Sequence, residues 1–261
     1  MIAAAHLLKQ RSTGHVHLRV ERAGIAVMRE AGSAKCRMPQ GSTEAILINT
    51  SGGLAGGDIV DVRAEAGLDA SLALTTQAAE RVYRTLGPPA TVSITLKAAA
   101  GSTLLWVPQE TILFESSALQ RRLEVDLAED GAFFAVEPMI FGRKEMGERV
   151  RQVSVVDRWN VRRMGRLIHS EAFRLGPGWP SSRAMLGENT ATASLLFVSP
   201  AAEALLESVR ALLGREDGAS AWNGKLVARL VARDGFLLRK ILVEVLSACL
   251  GRGRLPKCWT F

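Results

Sequence analysis

The segment Asn49-Thr50-Ser51-Gly52-Gly53-Leu54-Ala55-Gly56-Gly57-Asp58 packs four glycines into six positions, directly after the apolar run Ala45 to Ile48. Bare backbone amides in such a loop can point at oxygens, which is the chemistry of a phosphate cradle. Two details count against that use. A phosphate loop ends in Gly-Lys-Ser/Thr, whereas Gly57 is followed by the anion Asp58; a dinucleotide fingerprint opens a helix, whereas an alternating stretch from Ile59 to Ala64 follows here. The better reading of Gly52, Gly53, Gly56 and Gly57 is a backbone that needs positive φ or close chain packing.

Three further stretches set polar groups within or beside apolar runs. Thr75-Thr76-Gln77 closes an alternating strand ahead of Ala78-Ala79-Glu80-Arg81-Val82-Tyr83-Arg84. Its hydroxyls and amide either line a polar cavity or bond backbone at a strand end. In Trp106-Val107-Pro108-Gln109-Glu110-Thr111-Ile112-Leu113-Phe114, Pro108 forces an edge or a bulge and Gln109-Glu110 sit at the break. The third stretch is Glu137-Pro138-Met139-Ile140-Phe141-Gly142-Arg143. Metal and nucleophile chemistry has few candidates in a chain with four histidines and three cysteines. His15 and His17 share a strand face, but two points are a weak site, and no C-x-x-C pairing supports structural zinc. Any Ser-His-Asp triad would be an arbitrary choice. No catalytic residue is assigned.

Charge points to partners. The formal net charge is +7, and the 33 cations comprise 26 arginines and 7 lysines. Arginine's planar fork suits bidentate contacts at interfaces or on phosphates, although a GC-rich genome would spell the same bias. Arg143, Lys144, Arg149, Arg151, Arg158, Arg162, Arg163 and Arg166 crowd one stretch with Glu145, Glu148 and Asp157 to offset them. A nucleic-acid-binding β-protein is the alternative reading of that segment. Aromatics at 5% with one tyrosine give few stacking platforms, so protein docking or a solvated face is preferred.

The elements that must position these groups are mostly strands. From about residue 14 to 175, short runs put an apolar side chain at every second place: Val16, Leu18 and Val20; Val60, Val62 and Ala64; Leu72 and Leu74; Val92, Ile94 and Leu96; Leu123, Val125 and Leu127. Turn residues separate them at Gly67, Gly87-Pro88-Pro89, Gly101 and Asp130-Gly131, as in a sandwich, barrel or solenoid. The last third changes period. Pro200 to Leu213 and Phe236 to Leu250 predict helices, and Lys225 to Arg233 between them predicts one strand. With no Gly/Ser linker, residues 1–261 are expected to form one domain: β-rich over 14–198, helix-strand-helix over 199–251, and a tail at 252–261. The apolar stretch Gly235 to Leu250 is broken by Arg239, Lys240 and Glu244, so no membrane span is expected. The N-terminus does not read as a secretory signal, and an odd number of cysteines suits reduced thiols in a cytoplasm.

Taken in order, the motifs at Asn49–Asp58, Leu74–Ala79 with Arg81, Tyr83 and Arg84, Pro108–Phe114, and Glu137 with Phe141-Gly142-Arg143 closely resemble the urease accessory protein UreD (UreH) family. Trp159, Arg162-Arg163-x-Gly165-x-Leu167 and Leu255-Pro256-x-x-Trp259 continue the match; Gly176 to Glu216 carries no family signature. The resemblance implies a mainly β, stacked-strand, β-helix-like body with two α-helices in the C-terminal third. It also implies a non-catalytic scaffold that joins UreF and the GTPase UreG and docks them on apo-urease, into which nickel then enters. On that basis nickel is expected only transiently, with no cofactor of the chain's own. A conduit needs ligands that admit an ion and release it, whereas a nickel store would show a His-rich tract, and none is present. Candidate oxygen ligands along such a path are Asp58, Glu110, Glu137 and Glu171, with Thr75, Thr76 and Gln77 lining it. Satisfied structural polar groups are the equal alternative. The C-terminal helices and Arg143, Arg158, Trp159, Arg162 and Arg163 are candidates for docking UreF, with Trp179 and Trp222 nearby.

Overall fold

The computed structural model describes residues 11–176, 186–251 and 255–260. In chain order the strands are β1 (Thr13–Glu21), β2 (Gly24–Gly32), β3 (Ala34–Arg37), β4 (Glu44–Asn49), β5 (Ile59–Ala66), β6 (Ser71–Thr76), β7 (Glu80–Val82), β8 (Ala90–Ala98) and β9 (Thr103–Trp106). They continue as β10 (Thr111–Leu113), β11 (Ser117–Leu127), β12 (Ala132–Phe141), β13 (Val153–Arg163), β14 (Arg166–Leu175) and β15 (Ala191–Val198). Helix α1 (Leu206–Arg210), β16 (Gly218–Trp222), β17 (Lys225–Ala232) and α2 (Gly235–Leu250) follow.

From β4 to β13 the chain passes back and forth between two sheets, each pass laying a strand parallel to the last in its sheet. One sheet has seven strands in the order β14-β13-β11-β8-β5-β1-β2; the other has ten, running β16-β17-β15-β12-β9-β6-β4-β3 with β10 attached to β12 and β7 to β10. This is a β-solenoid-like stack, as the resemblance implies. Parallel register turns the period-two pattern into ladders. Val16 lies opposite Val62, Val62 opposite Ile94, Ile94 opposite Leu123 and Leu123 opposite Trp159, all buried. The facing ladder of the second sheet runs Leu72, Leu104, Phe133. Each such side chain contributes about 1.5–3 kcal/mol when fully buried, so the core between the sheets rests on alternation alone.

Strand β12 breaks the alternation because both of its faces are covered. Phe133 and Ala135 join the core between the sheets, while Phe134 and Val136 join a second core under α2 with Leu238, Leu242, Val245 and Leu246. The second sheet is therefore a middle layer, which is why β12 and β15 read as continuous apolar runs. The Asp234 side chain caps α2 by accepting from the Leu237 amide at 2.9 Å, and Gly251 follows its last turn at φ +83°.

Two expectations for the last third need correction. Instead of a helix over Pro200 to Leu213 there is a 3₁₀ turn, Glu203–Leu205, then the five-residue α1. The segment offers no side-chain N-cap, and Val209 is the one buried residue of α1, too little apolar surface to hold four turns. Strand β16 was also not expected. Its inward residues, Ala219 and Ala221, are too small to produce a clear apolar alternation.

Candidate functional site

A cavity of about 210 Å³ opens where the glycine loop, the end of β6 and the break before β10 converge on the inner face of the first sheet. Its mouth is exposed at Gln77, Ala78 and Arg81, and its wall continues past Thr76, Gln109 and Thr111 to Arg121 and Glu137. Val62, Val92 and Leu119 supply an apolar flank.

The glycines build the rim. Gly52, Gly53 and Gly57 have φ of +75°, +148° and +87°. A Cβ at Gly53 would lie 2.9 Å from the Arg81 carbonyl oxygen and would collide with the Tyr83 ring, and one at Gly56 would strike Thr85. Positive φ and close approach are thus both present in this loop. Asp58 closes it: its carboxylate accepts from the Ala55 amide and from the Ser12 amide, each at 2.8 Å. On the neighbouring wall, Asn49 Nδ2 donates to Glu80 at 3.0 Å and to the Gly53 carbonyl oxygen at 3.3 Å. Burial raises the Glu80 pKa, opposed by the hydrogen bond from Asn49.

The deep end is a charge cluster. Arg121 on β11 lies directly opposite Asp157 on β13 and grips it with two hydrogen bonds, Nη2 at 2.8 Å and Nε at 3.1 Å. Its Nη1 lies 2.5 Å from Oε2 of Glu137, on β12 of the other sheet. Glu137 Oε1 accepts from Trp106 Nε1 at 2.7 Å, and Trp159 Nε1 donates to Asp157 at 3.3 Å. Two carboxylates therefore surround one guanidinium in a buried place. Burial raises the Glu137 pKa to about 7, partly offset by Arg121 and reinforced by Asp157. Burial works against the Arg121 charge, but Asp157 and Glu137 together hold its pKa above the ordinary range.

The candidate residues divide by place. Thr76, Gln77 and Glu137 line the cavity. Thr75 is fully buried beside it, its hydroxyl without a partner among the described residues, and Asp58 faces the loop backbone. Glu110 turns the other way, to Arg239 of α2 at 3.0 Å; Arg239 also bonds the Gln109 side chain at 2.9 Å and stacks 4.8 Å from the Trp259 ring. Glu171 does not line the cavity; it sits on β14 opposite Trp159, where Arg229 lies 2.5 Å and His169 3.4 Å away. The structure brings neither Glu110 nor Glu171 to the cavity. No group of three or more His, Cys, Asp or Glu residues that could hold a metal occurs among the described residues.

The docking candidates divide as well. Trp159 is 1% exposed and belongs to the core, because its place on β13 faces inward with Val155 and Val161; it cannot anchor a partner. Arg158 is exposed on the outer face of the same strand. Arg162 pairs with Glu124 at 2.9 Å, Arg163 donates to the Gly131 carbonyl oxygen at 3.2 Å, and Arg143 pairs with Glu148 at 2.8 Å while lying 4.3 Å from the Phe114 ring. Acidic neighbours thus engage part of the arginine-rich segment. Trp222 is exposed, and Trp179 lies outside the described residues.

Arg121, Asp157 and Asn49 carry much of this site without having stood out as candidates. A signal did exist for two of them. Arg121 follows the inward Leu119 and precedes the inward Leu123, and Asp157 lies between the inward Val155 and Trp159, so each is a charge at a core position of an alternating strand.

A family model described as UreD urease accessory protein matches residues 12–260. The chain is similar to the urease accessory protein UreD of Rhizobium leguminosarum bv. trifolii, 47% identical with 99% of each chain covered. It is also similar to urease accessory protein UreD 1 of Brucella anthropi, 45% identical over 98% of this chain and 97% of the relative. UreD of Agrobacterium fabrum is 44% identical over 88% and 83% respectively.

Proposed function

We propose, from the premise that the chain belongs to the UreD family of urease accessory proteins, that it is a non-catalytic cytoplasmic scaffold bridging UreF and UreG to apo-urease. In this reading its inner cavity gives nickel a hydrated path towards the urease active site. The observation that supports the path is the polar wall: an exposed mouth at Gln77 leads through Thr76 and Gln109 to the buried Glu137, through a body whose core is otherwise built from apolar ladders. Polar groups are costly in such a core unless water or a partner satisfies them, and the buried Gln109 Nε2 has no partner among the described residues. Oxygen ligands, one carboxylate at a time, hold nickel, a borderline ion better suited to imidazole, weakly, which is what transit requires. The path is taken to involve Thr76, Gln77 and Glu137; Asp58 is assigned to shaping the rim.

Ala79 is small, half-buried and part of the cavity wall. Ala79→Trp should obstruct the cavity and lower the nickel content of co-expressed urease severalfold, with co-purification of UreF retained. Full nickel loading alongside an intact complex would remove the cavity from the path.

A further inference from the structure

We infer that Arg121 is the resident cation at the deep end of the cavity, occupying the place between Glu137 and Asp157 that a divalent ion would otherwise take and keeping that wall weak enough for passage. This rests on the nickel-path reading above. The carboxylates come from opposite sheets, β12 and β13, yet both point at one guanidinium: Nη1 is 2.5 Å from Glu137 and Nη2 is 2.8 Å from Asp157. The Thr111 hydroxyl lies 3.3 Å from Nη1 and completes a set of oxygens. Side-chain exposure is 6% for Arg121, 1% for Glu137 and 3% for Asp157.

Stability is a poor reason for such a cluster, since replacing buried ion pairs with apolar side chains of similar volume is often neutral or stabilising. Its position offers another. Arg121 and Glu137 form the end of a cavity whose wall also carries Gln109, 6% exposed and with Nε2 unpartnered among the described residues, so a water filling the cavity has a donor to accept from. Two bare carboxylates in a low dielectric would trap a divalent cation. With the guanidinium between them, the trio carries at most one net negative charge, so a passing cation is not met by two free carboxylates to chelate it. Arginine suits this role because its planar fork reaches both carboxylates at once, whereas a lysine ammonium is a point charge.

The test compares the full chain with Arg121→Met and Arg121→Lys, using NiCl2 as probe. Retained nickel is read by equilibrium dialysis and unfolding midpoints by circular dichroism. Arg121→Met should retain one additional equivalent of nickel, at least tenfold more tightly than any site of the parent chain. Nickel at a hundredfold excess over that dissociation constant should raise its midpoint by roughly 5 °C or more. Adding Asp157→Asn should abolish the gain. The parent and Arg121→Lys should show neither effect. The inference is overturned if Arg121→Met retains no extra nickel, if it stays unfolded even with nickel present, or if Arg121→Lys gains the same equivalent. Urease is absent from this measurement, so its outcome is separable from failure of the path in cells.

Discussion

At the scale of single residues, the chemistry follows from which polar groups lost water on folding. Glu137 is the extreme case, 2% exposed and shared between an indole donor and a guanidinium that Asp157 already engages. Its pKa is raised to about 7, so from the ordinary value of 4.5 up to that pH the folded state holds a proton that the unfolded state has released. The stability from this group is therefore fully present below about pH 4.5 and is lost as pH rises towards 7. Glu137→Gln removes the titration while its amide oxygen can still accept from Trp106. The change in unfolding midpoint between pH 5 and pH 7.5 should differ from that of the parent by a few degrees, in the direction of greater relative stability at pH 7.5. Identical pH slopes for parent and variant would show that Glu137 does not hold the proton. Glu171 illustrates the opposite balance: burial pushes its pKa up, but the hydrogen bond with His169 and the Arg229 charge pull it below the ordinary range. Its share of stability is lost as the medium becomes acidic.

At the scale of elements, the site depends on segments that do not line it. Helix α2 lies over the middle sheet and carries Arg239, which holds Gln109 and Glu110 and reaches the Cys258 carbonyl oxygen at 2.7 Å. Trp259 Nε1 donates to the Val107 carbonyl oxygen at 2.8 Å, so the segment around Trp259 is pinned to the break that precedes β10. The helix start is fixed by Asp234, which caps Leu237 and accepts from Lys144 Nζ at 2.8 Å. Asp234→Ala should cost about 1 kcal/mol through the lost cap, lowering the unfolding midpoint by roughly 2–4 °C. A midpoint unchanged in a calorimetric scan would mean the helix start is held by packing alone. The glycine loop follows the same logic: its sequence looks like a ligand cradle, yet its glycines are required by φ and by the nearness of Arg81, Tyr83 and Thr85.

At the scale of the whole molecule, stacking produces two surfaces of different character. The inner face of the seven-stranded sheet is apolar apart from the cavity and the His169–Glu171 pair on β14, while its outer face displays Arg122, Arg158 and Arg162, with Glu124 bridging Arg162. The net charge of +7 and this arginine display suit a partner with an acidic face. Arg158→Ala with Arg162→Ala should weaken co-purification of UreF severalfold and leave the unfolding midpoint nearly unchanged, because exposed pairs such as Arg162–Glu124 contribute little to stability. UreF binding at the parental level would move the interface elsewhere, with α2 as the next surface to test. Among the described residues no helix is long and apolar enough to cross a membrane.

Much of the architecture was legible in the residues alone, because a strand with one face buried must alternate; β1, β5, β6, β8 and β11 announce themselves at Val16, Val62, Leu72, Ile94 and Leu123. So were the glycine loop's backbone role and the motif order that marks the family. Alternation has nothing to say where both faces are covered, as in β12, or where small side chains blur it, as in β16. The site was only half legible for a related reason. Thr76, Gln77 and Glu137 stand out as polar groups in apolar company, but which of them meet is a matter of register between strands far apart in the chain. Arg121 finds Asp157 because β11 and β13 pair in parallel, and it finds Glu137 because the two sheets face each other there. Glu110, in the break before β10, and Glu171, on β14, no less suggestive as residues, were carried to Arg239 and Arg229 instead. Composition and spacing decide which faces must be buried; the contacts across the interior are decided when sheets close, since each side chain takes whatever partner the opposite strand presents.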